Sequence, residues 1–229
     1  MVTSSSKRLI PAGARRWLSE HERRIRWWAA FRAFQNAHDP AHLAEKHFAD
    51  LVAGWGNDGW SADVVFLRTC VHAALTGNGP ILECGSGLST VLLAECCART
   101  SRQLISLEND YYWWDRVRNC LGRYGLNPAH VLLTPLRSYG AFDWYSVPES
   151  WAVSPFDLVV CDGPASTTRG GRFGLLPVAR PVLAAGCHIL MDDAERGDEQ
   201  RVVAEWTHIT PLDVQFFGDT EKYARITVL

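Results

Sequence analysis

The stretch "ILECGSGLST", residues 81–90, decides how this chain folds. Its first residues, Ile81-Leu82-Glu83-Cys84, make a short, largely apolar run that stops at Gly85 and Gly87, and Ser89 then begins a segment with helical spacing. A strand that turns through glycines directly into a helix is the opening unit of a doubly wound sheet. The two glycines let the backbone bend sharply and let a ligand come close to it. Amides at the helix start favour an anionic group, and Ser89 or Thr90 is placed to cap them. About twenty residues on, Glu108 closes the next apolar run, "QLISLE", at the distance where an acidic side chain meets the hydroxyls of a ribose. A glycine pair alone would be a tight turn, and a lone glutamate a solvated one. Together at this spacing they predict a site for a nucleoside-containing cofactor.

Strands and helices alternate from Pro80 onward. "PILEC" is followed by a helix over 89–99, "QLISLE" by one over 110–124, then "HVLLT", "FDLVVCD", a helix over 172–183, "CHILMD" and a helix over 195–206. That alternation predicts an α/β fold with a doubly wound, mostly parallel sheet. The last runs, "ITPLDVQFFG" and "KYARITVL", are joined by "GDTE" with no helix between them, so an antiparallel hairpin closes the sheet. Residues 1–78 hold no convincing strand and predict helices over 15–37, 41–53 and 62–75, with the loop "GWGNDGWS" before the third. The chain thus divides into a helical N-terminal extension, 1–78, and a cofactor-binding domain, 79–229. The first helix sets Trp17, Leu18, Ile25, Trp28, Phe31 and Phe34 among many arginines. Such a helix can lie on a membrane or grip phosphates, but more often it packs on its own protein, here as a lid or dimer contact.

With 229 residues, 47% hydrophobic and 21% charged, the chain can bury a substantial core. A net charge of -2 gives no field that would draw nucleic acid or an acidic membrane. The seven cysteines include no Cys-x-x-Cys pair, and no run is apolar enough for a signal peptide or a membrane span. A cytoplasmic protein with reduced thiols is expected. The eight histidines form no ligand set: His188 lies in a strand and reads as a core residue or one supporting the site from behind, His72 lies on a helix, and His130 and His208 sit at strand starts.

A dinucleotide site wants a third glycine where this chain has Thr90, and here the motif opens with an acid, Glu83. Glu-x-Gly-x-Gly after the first strand, an acid closing the second and a terminal hairpin resemble the class I S-adenosylmethionine-dependent methyltransferases, over residues 79–229. The resemblance implies a seven-stranded Rossmann-like sheet. It also implies that Glu83, Gly85, Ser86, Gly87, Ser89 and Thr90 face the amino-acid end of the cofactor. Glu108, with Asn109 beside it, would hold the ribose, and Pro135-Leu136 would lie by the adenine. The family often has a further glycine where this chain has Ser89. A nicotinamide-dependent dehydrogenase and a non-catalytic binding module are the rival readings.

A second stretch, "CHILMDDAER" at 187–196, ends an apolar strand on two adjacent aspartates. Neighbouring carboxylates repel unless a cation joins them. In the methyltransferase strand order the fourth and fifth strands are neighbours, so Asp162 of "CDGP" opens into the same crevice as Asp192 and Asp193. Three hard oxygen donors there suit Mg²⁺ or another divalent ion. The arrangement is similar to the metal-dependent O-methyltransferases that act on sugar hydroxyls in macrolide and aminocoumarin biosynthesis. The catechol type, a more distant likeness, has asparagine where this chain has Asp193, and a set of bacterial proteins of poorly defined substrate shares "DGP" and "DDAER". The expectation is a hydroxyl-directed methyltransferase with Asp162 as base, binding a small-molecule acceptor, with a metal-independent N- or O-methyltransferase as alternative and a homo-oligomer left open. The competing account has Asp192 or Asp193 capping the helix from Glu195, Arg172 or Arg196 neutralising the pair, and Asp162 touching the cofactor or holding the turn. Tyr139, Phe142, Trp144, Tyr145, Trp55 and Trp60 are candidate walls of an acceptor site, each equally at home in the core.

Overall fold

Apolar runs bounded by turns become the strands of one seven-stranded sheet in the computed structural model, which describes residues 12–57, 62–147, 155–218 and 222–229. The central strands are β1 (Ile81–Cys84), β2 (Leu104–Glu108) and β3 (Val131–Leu133). A small separate hairpin, β4 (Leu136–Ser138) with β5 (Asp143–Tyr145), precedes β6 (Phe156–Cys161), β7 (Leu183–Met191), β8 (Leu212–Phe217) and β9 (Tyr223–Val228). The order across the large sheet is β3-β2-β1-β6-β7-β9-β8. The pairs from β3 through β7 are parallel, and β9 runs antiparallel to both β7 and β8. All four residues of β1 are buried, as a strand in the middle of a helix-flanked parallel sheet must be. The seven-stranded, mostly parallel sheet with a closing antiparallel hairpin is therefore the one the sequence predicts.

The helices are α1 (Ala12–Asn36), α2 (Glu45–Trp55), α3 (Val64–Thr76), α4 (Leu88–Thr100), α5 (Tyr111–Arg123), α6 (Leu175–Ala179) and α7 (Gly197–Trp206). The helix expected over 172–183 is broken: a 3-10 turn, Gly171–Gly174, leads into the short α6 and a second 3-10 turn, Arg180–Val182. Pro177 and Pro181 remove amide donors from that segment, so a continuous ladder cannot form. The hairpin of β4 and β5 went unforeseen, because its strands are three residues each and carry no long alternation. Among the described residues no helix is long and apolar enough to cross a membrane.

The chain forms two compact units, residues 1–60 and 61–229, so α3 groups with the sheet rather than with the N-terminal extension that the sequence reading ended at 78. In the first unit, Phe34 meets Phe48 edge-on at 6.2 Å and Trp27 meets Trp55 at 5.3 Å, which joins α1 to α2. Trp17, Leu18, Ile25 and Trp28 are exposed on α1. In the second unit, Arg102 explains why α3 belongs there. Its side chain is 2% exposed, pairs with Asp157, and donates to the carbonyls of Ala73 (3.1 Å), Ala74 (2.8 Å) and Gly79 (2.6 Å). The Asp157 carboxylate in turn accepts the amide of Asn78 at 3.0 Å. One guanidinium thus ties the end of α3, the entry to β1 and the start of β6.

Removing a buried ion-pair partner strands the other charge. Arg102→Met should lower the unfolding free energy of the chain by about 3 kcal/mol in urea denaturation. A loss below about 1 kcal/mol would show that the cluster is not a structural staple.

Candidate active site

The C-terminal ends of β1, β2, β6 and β7 carry the site, each acid with its own surroundings. Gly85 takes a left-handed backbone, φ 87°, and a Cβ there would meet Gly163 N at 2.9 Å. A Cβ on Gly163 would lie 2.8 Å from Gly85 Cα and 2.6 Å from the Tyr145 hydroxyl. The turns after β1 and β6 are pressed together, and only glycines permit it. Gly87 differs: its backbone is extended, φ −176°, and a Cβ there would meet nothing within 4 Å. Open space lies over Gly87 at the start of α4.

Glu108 is tied to this turn. Its Oε2 accepts Ser86 N at 2.9 Å and Ser86 Oγ at 2.7 Å, while Oε1 accepts Asp110 N at 2.7 Å. Asn109 is exposed next to it, and Asp110 caps α5 by accepting Trp113 N at 3.1 Å. Pro135 and Leu136 follow β3; Thr134 N donates to Glu108 O at 2.7 Å, which brings the chain before Leu136 to the end of β2. The carboxylate, the glycine turn and the open space over Gly87 fit the ribose and amino-acid parts of a nucleoside cofactor.

Glu83 stands apart from the other candidates. It is fully buried, with Oε1 accepting Ser89 Oγ at 2.7 Å and Oε2 accepting Thr90 Oγ1 and Ser106 Oγ at 2.6 Å each. Thr90 also accepts Gly87 N at 2.9 Å, so it caps α4 while donating to Glu83. The cage fastens α4 to β1 and β2, and it commits Glu83, Ser89 and Thr90 to structure rather than to a ligand. Ser106 escaped the sequence reading. Its signal was a hydroxyl inside a buried strand, which the register sets directly beside Glu83. Burial pushes the Glu83 carboxyl up to about 7, against the three hydroxyl bonds that lower it.

The aspartates meet a cation, and it is an arginine. Arg172, whose side chain is 4% exposed, donates to Asp192 O, to Asp162 O at 3.1 Å and Oδ1 at 3.2 Å, and to Asp193 Oδ2 at 2.8 Å. Arg196 holds the second oxygen of Asp193 at 2.7 Å. Asp193 adopts a left-handed backbone, φ 57°, uncommon outside glycine, and its N–H donates to Asp192 Oδ1 at 3.0 Å. Neither aspartate caps α7, which begins at Gly197 with no side-chain cap. Burial raises Asp162 to about 6, with Arg172 opposing, and burial together with Asp162 and Asp193 raises Asp192 to about 8.

The divalent-ion expectation finds no support in this geometry. Both oxygens of Asp193 and one of Asp162 are taken by guanidinium groups. An added cation about 4 Å from Arg172 would meet repulsion of roughly 4 kcal/mol per unit charge at an effective dielectric of 20. Among the described residues no set of three or more His, Cys, Asp or Glu side chains is arranged to hold a metal ion. The donor set does not fit Mg²⁺.

The remaining candidates divide cleanly. Trp144 and Tyr145 are fully buried in the core, while Tyr139 and Phe142 stack at 5.5 Å beside it. Trp55 is buried in the first unit, and Trp60 lies outside the described residues. His188 is exposed, 3.1 Å from Thr227 Oγ1, rather than in the core, because its strand turns that residue to the surface. His130 bonds Leu104 O at 3.0 Å, at the start of β2, away from the site.

The chain has the Rossmann-like fold of the class I S-adenosylmethionine-dependent methyltransferases, and its acidic, glycine-lined strand ends resemble theirs. Residues 82–194 match the family model described as a methyltransferase domain, from β1 through the aspartate pair. A putative caffeoyl-CoA O-methyltransferase from Staphylococcus aureus is similar in structure, with TM-score 0.61 and 12% identity over 90% of this chain and 100% of that one. An O-methyltransferase from Bacillus cereus in complex with SAH gives TM-score 0.55 and 15% identity over 85% of this chain and 93% of that one. An SAH-bound methyltransferase from Podospora anserina gives 0.55 and 14% over 100% and 99%. At such identities the likeness establishes the fold. Comparison with curated proteins finds no match.

The burial of Glu83 sets a pH dependence of stability. A carboxyl raised from 4.5 to about 7 on folding contributes stability that is complete below pH 4.5 and lost as pH rises through 7. Glu83→Gln removes that titration. Across this window the wild type should lose roughly 3 kcal/mol relative to the variant. Parallel stability curves for the two proteins from pH 4 to pH 8 would refute the raised Glu83 carboxyl.

Proposed function

We propose that this protein methylates a hydroxyl oxygen of a small molecule, sugars included, with S-adenosylmethionine as donor and without a divalent ion. The observation that carries this reading is the contact of the turns after β1 and β6: Gly85 packs against Gly163, which sets Asp162 directly beside the glycine turn. Gly85, Ser86 and Gly87 would hold the amino-acid end of the donor, Glu108 with Asn109 its ribose, and the chain at Leu136 its adenine. The bound donor supplies a methyl group on a positively charged sulfur.

Methyl transfer to oxygen is an in-line displacement, so the protein must align the acceptor and remove its proton. Asp162 is suited to the second task. Its side chain is 29% exposed, so an acceptor can reach it, and a carboxyl near 6 is mostly ionised above neutrality yet basic enough to take a proton. Arg172 holds one oxygen of that carboxylate in place. The rival dehydrogenase lacks support, since the third glycine of a dinucleotide turn is absent and the matched family is a methyltransferase.

Gly87 offers the cleaner test of donor binding, because a side chain there fills open space without backbone strain. Calorimetry should show S-adenosylhomocysteine binding to the wild type and at least about a hundredfold loss in Gly87→Phe, with unchanged circular dichroism. Equal affinity in the two proteins would overturn the assignment. Once an acceptor is found by screening hydroxylated small molecules, turnover should fall as pH drops through about 6, where Asp162 and its neighbours take up protons as a coupled set. Turnover independent of pH from 5 to 8 would exclude Asp162 as base.

A further inference from the structure

We infer that Arg172 is a built-in cation: its guanidinium occupies the position at which the Asp162 and Asp193 carboxylates, with the main-chain carbonyls of Asp162 and Asp192, would otherwise gather a divalent ion, and a metal can enter only if that guanidinium is removed. The inference concerns charge balance at the ends of β6 and β7, so it stands whether or not the methyl acceptor is a hydroxyl.

Three observations carry it. The first is how completely the guanidinium uses the oxygens around it. It takes a carboxylate oxygen from Asp162 and one from Asp193, and also the main-chain carbonyls of Asp162 and Asp192. Those carbonyls are hard oxygen donors that a divalent ion would equally use. The second is burial. At 4% exposure, Arg172 is no surface side chain able to swing into water and vacate the position. It enters from the 3-10 turn Gly171–Gly174, and its neighbour Phe173 is fastened by Trp206 Nε1, which donates to Phe173 O at 2.8 Å. The third is surplus negative charge. Glu199, buried in the first turn of α7, adds its attraction to Arg172, and Arg196 alone covers the outer oxygen of Asp193. The carboxylates of Asp162, Asp193 and Glu199 therefore act on one buried arginine, and deleting it leaves those acids and two main-chain carbonyls without their cation.

Arg172 is thus a positioning residue for the Asp162 carboxylate, doing by a fixed side chain what a bound ion does elsewhere by coordination. A guanidinium offers no open coordination position, so it can orient a carboxylate but cannot ligate an acceptor oxygen.

The test is Mn²⁺ titration of the full chain, followed by electron paramagnetic resonance and by melting temperature in the same samples. Wild type should show no stoichiometric Mn²⁺ site, and millimolar Mn²⁺ should leave its melting temperature unchanged. Arg172→Ala and Arg172→Gln should each melt lower and each gain one Mn²⁺ site, at least about tenfold tighter than any binding by wild type. In both, Mn²⁺ should raise the melting temperature. Arg172→Lys should behave as wild type, because an ammonium keeps the charge. The double variant Arg172→Gln with Asp193→Asn should lose the gained site. The inference is overturned if wild type binds one Mn²⁺ that Asp193→Asn abolishes. It is equally overturned if neither arginine variant gains metal or is stabilised by it. None of these readings involves methyl transfer, so failure here and failure of the proposed activity are separable.

Discussion

Burying carboxylates at the C-terminal edge of a parallel sheet is the constraint around which this site is arranged. Glu83, Glu108, Asp162 and Asp192 are all largely shielded from water, and a shielded carboxylate must find donors, a cation or a proton. Each acid meets that demand differently. Glu83 has three hydroxyls, Glu108 has two amides and a hydroxyl, Asp162 and Asp193 share Arg172, and Asp192 takes one amide and a raised affinity for protons. The partner chosen fixes what each can do. An acid held by hydroxyls inside the sheet fastens elements together, while one held by amides at the glycine turn is set at the edge where ligands bind in doubly wound folds.

That division explains which parts of the site could be read in advance. The glycine turn and Glu108 were legible because their spacing is dictated by chain geometry: a strand, a turn and a helix of ordinary length bring the next strand end to a fixed place. The sheet order was legible for the same reason, since alternating units and a helix-free tail admit few topologies. The part played by Glu83 was not. Its position in the motif is the same whether it faces a ligand or the interior, and what turns it inward is Ser106 on the neighbouring strand, paired through a register that no local pattern reveals.

The aspartates show a different limit. That three carboxylates converge was readable, and so was their need for a cation. Which cation was not, because Arg172 lies ten residues after Asp162 in a segment whose helical appearance hid a 3-10 turn. An unbroken helix from 172 would have directed the arginine by helical periodicity. The two prolines break that periodicity, and the turn instead delivers the guanidinium to the ends of β6 and β7.

A fixed guanidinium and a bound divalent ion solve the same electrostatic problem with different consequences for specificity. An ion with open coordination positions can bind two adjacent hydroxyls at once, so it favours acceptors that present a chelating pair. Arg172 presents no such positions and is 4% exposed, so under the proposed activity selection of the acceptor would pass to shape and to the single carboxylate at Asp162. One oxygen of that carboxylate is already held by Arg172. On the proposed reading, an acceptor at this site would need only one hydroxyl in the right place, and a neighbouring hydroxyl would add nothing that the protein can grip through a metal. The absence of a preference for vicinal diols over isolated hydroxyls of similar shape is the specificity that this charge arrangement implies.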